Sequence, residues 1–64
     1  MKLNELFNKH AGKHIKVEMS DGEVVSGILS CYISAEDNDP EPECIVVNNV
    51  ELSADEIMDV KIEG

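Results

Sequence analysis

The sequence has few basic residues and almost no aromatic ones. Its 64 residues include 5 Lys and Arg against 14 Asp and Glu, which gives a formal net charge of −9. One Tyr, one Phe and no Trp are present. Generic binding to a phosphate backbone needs clustered Lys and Arg, and single-stranded nucleic acid is commonly held by stacking bases on aromatic rings. The composition therefore argues against broad nucleic-acid binding.

Long apolar runs and a cysteine framework are also missing. No segment approaches the roughly 20 apolar residues that cross a bilayer, and the first residues do not read as a signal peptide. Cys31 and Cys44 are too few for a disulfide scaffold and do not have CxxC spacing. We therefore expect a cytoplasmic protein without membrane contact. Its thiols are expected to be free and buried. The two cysteines flank a long hairpin almost symmetrically, so a cross-strand neighbour position is an alternative.

No pattern typical of a catalytic or metal site occurs. A Gly-x-Ser-x-Gly elbow and a P-loop are both absent. His10, His14, Cys31 and Cys44 carry zinc-ligating atoms, but their spacing matches no common zinc site. The acidic segment 36–43 does not follow the calcium-loop pattern of an EF-hand. We therefore predict a protein that is not an enzyme and that holds neither metal nor cofactor.

The chain is short for a stable monomer. A domain of about 60 residues buries only about 60% of its unfolded surface. Apolar residues make up 42% of this chain, and the stabilisation they provide on burial nearly cancels the entropy lost on ordering the chain. A homo-oligomer is therefore expected.

Apolar spacing divides the chain into one helix and five strands. Leu3, Leu6, Phe7 and His10 follow the i, i+3, i+4, i+7 pattern of one helical face, which predicts a helix over 3–10. Apolar and polar residues then alternate, as in half-buried strands. The predicted strands cover about 14–20, 23–34, 44–48, 49–52 and 58–63.

Three local features refine this pattern. The strand 23–34 is apolar on both faces, and Gly27 is predicted to mark a bend or a bulge within it. Ser53 and Glu56 have capping-box spacing, which predicts a helical turn before the last strand. The expected fold is mainly β, a single domain over 1–64 formed by a five-stranded, strongly bent antiparallel barrel with a short N-terminal helix.

The segment 36–43, called the acidic loop below, has no apolar residue and is expected to be solvated. We predict an acidic interaction surface formed by its five carboxylates: Glu36, Asp37, Asp39, Glu41 and Glu43. One alternative function follows from these charges. The acidic loop would act as a nucleic-acid mimic and occupy a basic groove on another protein.

Two segments carry a family resemblance that covers nearly the whole chain. Residues 12–19 with Asp21-Gly22 are followed by Val25, Gly27, Leu29 and Tyr32, and the set resembles the first motif of the Sm-like (LSm) family of small SH3-like barrels. Residues 52–57 with Val60 resemble the scaffold of the second motif. The resemblance implies the barrel fold. It also implies ring-shaped oligomers, which members of the family form by pairing edge strands of neighbouring subunits.

The polar residues of the family's RNA site are largely replaced. Ile33 stands where the family has Asp, and Ser53-Ala54 stands where it has Arg-Gly. Without that arginine the site lacks its planar, charged contact. Candidate contacts to RNA or a protein partner are the basic cluster before and within the first strand, the motif aromatic and the nearest asparagine: Lys9, Lys13, Lys16, Tyr32 and Asn38.

These observations favour a non-catalytic, self-associating Sm-like domain that acts as a protein-interaction or assembly module. Two alternatives stay open: an RNA-binding Sm-like ring protein, and the acidic mimic of nucleic acid.

Overall fold

A computed structural model describes residues 2–64. Helix α1 spans Leu3–His10 and presents its leucines and Phe7 to the sheet. The strands are β1 (His14–Met19), β2 (Val24–Ile33), β3 (Cys44–Val47), β4 (Val50–Ser53) and β5 (Ile57–Ile62), with a 3₁₀ turn at Ala54–Glu56 before β5. The strands begin or end within two residues of the predicted bounds.

The five strands form one antiparallel sheet in the order β4-β3-β2-β1-β5. The predicted mainly-β class, with five antiparallel strands and a short N-terminal helix, is confirmed. The strand pairing does not close into a ring, because β4 and β5 lie at opposite ends of the order. Each of these two strands therefore has one edge without a partner in the sheet.

Strand β2 belongs to both halves of the sheet. Its first half, Val24 to Ile28, pairs with β1, and its second half, Leu29 to Ile33, pairs with β3. The register shifts between Leu29 and Cys31. Of the bend or bulge predicted at Gly27, the bulge does not form, since Gly27 stays in register opposite Ile15.

The core lies between α1 and the apolar side chains of the sheet. Nine side chains are buried, one from the helix and eight from the strands: Leu3, Ile15, Val17, Met19, Leu29, Cys44, Ile45, Val47 and Leu52. No polar or charged side chain among residues 2–64 is buried. The core is therefore purely apolar and small.

The capping box predicted at Ser53 does not form. Ser53 makes no side-chain hydrogen bond to the turn that follows it. Backbone groups stabilise this turn instead, since Ala54 N donates to Glu43 O at 3.0 Å and Ser20 N donates to Glu56 O at 2.8 Å. A three-residue 3₁₀ turn lacks the α-helical geometry on which the reciprocal bonds depend.

Within residues 2–64, no helix has the length and apolar character needed to cross a membrane.

Candidate functional surfaces

The acidic loop is held by hydrogen bonds at both ends. Asp37 N donates to Ser34 Oγ at 3.2 Å, and Asn38 N donates to Ser34 O at 3.0 Å. Glu41 N in turn donates to Asn38 O at 2.7 Å. The segment is therefore a folded turn with its own backbone bonds.

The carboxylates of the acidic loop have two different environments. Glu36, Asp37, Asp39 and Glu41 are exposed, as an interaction surface would require. Glu43 is half-buried, and its Oε1 accepts a hydrogen bond from the Tyr32 hydroxyl at 2.7 Å. Glu43 therefore anchors the loop to β2.

Tyr32 links the helix, the sheet and the acidic loop. Its ring stacks on Phe7 of α1, with the centroids 6.3 Å apart and the planes inclined by 27°. The hydrogen bond to the Glu43 carboxylate raises the pKa of Tyr32 above its usual value, and desolvation acts in the same direction. Both the ring and the hydroxyl thus have intramolecular partners.

Asn38 also makes its contacts within the chain. Its Nδ2 donates to Pro42 O at 2.9 Å and lies 3.9 Å from Cys44 Sγ. An amide that closes its own loop has fewer free groups with which to recognise a base edge. The two polar residues nearest to the family's RNA motif, Tyr32 and Asn38, therefore serve the loop in this structure.

The three lysines predicted as a basic cluster lie on different elements. Lys9 is in the last turn of α1, and Lys13 is in the turn before β1. Lys16 lies within β1, opposite Ser26 on one side and Lys61 on the other. All three side chains are exposed. The basic residue directly opposite Lys16 is Lys61, which was not part of the predicted cluster.

The cysteines differ in exposure. Cys44 is buried, whereas Cys31 is exposed, so the prediction of a buried thiol is wrong for Cys31. Cys31 pairs with Val46 and Cys44 with Ile33, which makes the two cysteines diagonal rather than direct neighbours. Diagonal positions lie too far apart for an unstrained disulfide, and both thiols are free. Burial raises the pKa of the Cys44 thiol, and the charge of Glu51 adds to this effect.

Four charged side chains on the outer face of β1 and β5 were not predicted as a group. Lys16 and Lys61 lie directly opposite each other, and so do Glu18 and Asp59. Together with Val24 they line a shallow depression of about 180 Å³. The alternating pattern predicts that each of them faces solvent, but only the register of β5 on β1 shows that they meet. These four residues are called the charge quartet below.

A second depression, the edge groove, lies between β4 and the hairpin that joins β1 and β2. Its volume is about 250 Å³. Apolar side chains of the core and of β4 contribute to its lining, and acidic residues surround them: Met19, Val25, Val50, Leu52, Asp21, Glu23, Glu51 and Glu56, with Ser20. No group of three or more His, Cys, Asp or Glu within residues 2–64 has an arrangement that would hold a metal ion.

No protein-family model, curated protein or solved structure matches this chain. The geometry of these surfaces is therefore the basis for a functional proposal, and the Sm-like resemblance stays a prediction.

Proposed function

We propose that this chain is a non-catalytic, cytoplasmic domain with an Sm-like barrel architecture, and that it self-associates through its edge strands to act as an assembly module. The observation that carries the proposal is the open sheet. Strands β4 and β5 each have one unpaired edge. Copies joined through those edges would extend the sheet from one subunit to the next.

Neither edge strand contains proline, and β4 pairs with β3 without a bulge. Strand β5 has a bulge at its start, where its register on β1 shifts at Met58, but Asp59 to Ile62 pair in regular register. Proteins protect free edges with proline, bulges or inward-pointing charges. Strand β4 contains no proline and exposes Val50 at 44% of its surface. Strand β5 exposes Met58 at 64% and Ile62 at 41%. The exposed apolar side chains favour burial against a neighbouring strand.

The hydrogen-bond pattern indicates which backbone groups are free at β4. The turn Asn48-Asn49 joins β3 and β4, and in a two-residue hairpin the flanking residues Val47 and Val50 bond to each other. Because bonding alternates along a strand, Glu51 N–H points away from β3 and towards the free edge. Glu51 is therefore a position at which the edge can be blocked without breaking the β3–β4 ladder.

The same alternation applies to β5. Glu63 N donates to His14 O at 2.9 Å, so every second residue before Glu63 bonds to β1. The backbone groups of Val60 and Ile62 consequently face the free edge. An antiparallel pairing of β5 from one copy with β4 of the next would satisfy both sets of groups. Such a head-to-tail contact forms rings if the rotation closes.

The edge groove supports this arrangement. It lies beside β4 and opens onto Val50 and the nearly buried Leu52. A strand added at the β4 edge would place alternate side chains over this groove. It would thereby enlarge a core that is small for a domain of this size.

The test is the molar mass in solution, measured by size-exclusion chromatography with light scattering over a range of concentrations. The parent chain is expected to form a defined oligomer. Glu51→Pro, which removes the free N–H, is expected to reduce the mass, whereas the matched control Glu51→Ala removes the same charge and should not. A parent chain that stays monomeric at all concentrations contradicts the proposal, as does a Glu51→Pro oligomer equal to that of the parent.

A further inference from the structure

Two rows of like charge cross the outer face of the sheet. Lys16 of β1 faces Lys61 of β5, and Glu18 faces Asp59 one step further along the same strands. All four side chains are exposed. The charge quartet therefore has a positive row beside a negative row.

The two members of each row are close. Because Glu63 N–H bonds to His14 O, Lys16 with Lys61 and Glu18 with Asp59 occupy hydrogen-bonded positions, at which the Cα atoms lie about 5.5 Å apart. Like charges that face each other in this way destabilise a strand pair. The adjacent cross-strand residues, His14 and Glu63, do not carry like charges, and His14 Nδ1 lies 3.4 Å from Glu63 Oε1.

The members of the charge quartet do not neutralise one another. Among residues 2–64, no lysine lies within 4.0 Å of a carboxylate, and the single basic–acidic contact within that distance is that of His14 with Glu63. The basic groups of Lys16 and Lys61 thus lie beside the carboxylates of Glu18 and Asp59 without bonding to them. Each of the four charged groups is therefore free of a direct ionic contact with residues 2–64 and accessible to an external partner.

We propose that the charge quartet is a docking face for the charge quartet of a second copy, in a weak, two-fold symmetric dimer. The two-fold axis lies in the plane of contact, runs perpendicular to the strands and passes between the two rows. The lysine row of each copy then lies over the acidic row of the other. The pattern is therefore complementary to itself, as an isologous interface requires. Repulsion within each row is exchanged for attraction between copies.

The neighbouring side chains of β2 fit the same arrangement. Val24 lies beside Glu18 and is exposed at 49%, and Ser26 lies beside Lys16. The proposed axis places Val24 of each copy over Ser26 of the other. A larger apolar side chain thus meets a small one at the margin of the contact.

This contact is separate from the edge pairing proposed above. It uses the outer face of β5, β1 and β2 and leaves the free edges of β4 and β5 accessible. A stable dimer buries about 800 Å² of each partner, which is about a fifth of the 4103 Å² surface of this chain. Parts of three strands offer less than this area, so the dimer is weak and depends on attraction between the charge quartets. Salt screens this attraction and also the general repulsion between two copies of net charge −9, so variants are compared at equal salt.

The experiment uses two variants, each with a charge quartet of one sign. Lys16→Glu with Lys61→Asp makes it wholly negative, and Glu18→Lys with Asp59→Lys makes it wholly positive. Each variant alone is expected to lose the salt-sensitive part of the self-association, seen as a lower weight-average mass by sedimentation at low salt. An equimolar mixture of the two is expected to regain it. A mixture whose mass is only the average of its components would overturn the proposal.

A third variant guards against loss of folding. Making all four substitutions together inverts the pattern, keeps the net charge and keeps the same like-charge rows in the monomer. It is expected to associate as the parent does and to dissociate over the same salt range, with folding checked by circular dichroism. Failure of this folded variant to associate contradicts the proposal. Edge pairing is tested independently, because Glu51→Pro leaves the charge quartet unchanged and the mixing experiment leaves Glu51, Val60 and Ile62, whose backbone groups face the free edges, unchanged.

Discussion

Gly27 of β2 lies against the turn that joins β3 and β4. A Cβ atom at Gly27 would lie 2.8 Å from Asn48 Cβ, 3.2 Å from Asn48 N and 3.3 Å from Asn48 Cα. Two of these atoms belong to the backbone and cannot move without shifting the hairpin. This close approach explains the glycine in the middle of a strand, where glycine is otherwise unfavourable.

Gly27→Ala is therefore expected to destabilise the protein by about 1–3 kcal/mol, the usual cost of overpacking. Urea unfolding followed by far-ultraviolet circular dichroism measures this difference. Gly64→Ala is the matched control, because a Cβ there meets His14 Cβ at an ordinary 3.5 Å. Equal stability of the two variants would contradict the expected overpacking, because it would mean that the hairpin shifts to accommodate the methyl group without loss of stability.

The turn itself supplies a second prediction. Asn48 and Asn49 both have positive φ angles, 53° and 62°, as type I′ hairpin turns require. Asn49→Ala is expected to cost about 1–2 kcal/mol, because alanine enters the left-handed region at that cost. Asn49→Gly should stay within about 0.5 kcal/mol of the parent. The same unfolding measurement compares the two, and an alanine variant as stable as the glycine variant would contradict a type I′ turn.

The pH dependence of Tyr32 follows from its bond to Glu43. The raised pKa in the folded state means that the folded chain holds this proton more tightly than the unfolded chain. The stabilisation is therefore complete at neutral pH and is lost as the pH rises through the ordinary tyrosine range and then through the folded pKa. Absorbance of the single tyrosine reports this titration directly. Glu43→Gln should move the midpoint towards the ordinary value, and an unchanged midpoint would mean that the carboxylate is not the cause.

The two cysteines are expected to differ in reactivity. Thiolate is the reactive form, and the exposed Cys31 meets reagent in the folded state. Cys44 is buried and its pKa is raised. Brief alkylation of the native protein should therefore modify Cys31 alone, and alkylation in denaturant should modify both. Mass spectrometry of the intact chain and its peptides distinguishes these products, and equal labelling of Cys44 in the native state would contradict its burial.

The sequence-based predictions succeeded where the signal is local. The helical spacing from Leu3 to His10 and the alternation from His14 to Met19 each depend on neighbours a few residues apart, and both elements are present. The predictions of a buried Cys31 and of a capping box at Ser53 were wrong, and the bulge considered at Gly27 does not form, for a different reason. Their environment depends on a register shift, on the turn at Asn48 and on backbone bonds from distant segments.

By itself the sequence determined the class of the fold. Apolar periodicity specifies which residues are helical or extended and, for β1, which side of the strand faces the core, because these preferences arise within a few residues of chain. The shortage of basic and aromatic residues is likewise a property of the sequence alone. Only the tertiary structure decided which side chains meet. Strand order and register bring Lys16 beside Lys61, Tyr32 to Glu43 and two free edges to opposite ends of the sheet. Pairing between distant strands depends on the packing of the whole chain, which local patterns do not encode.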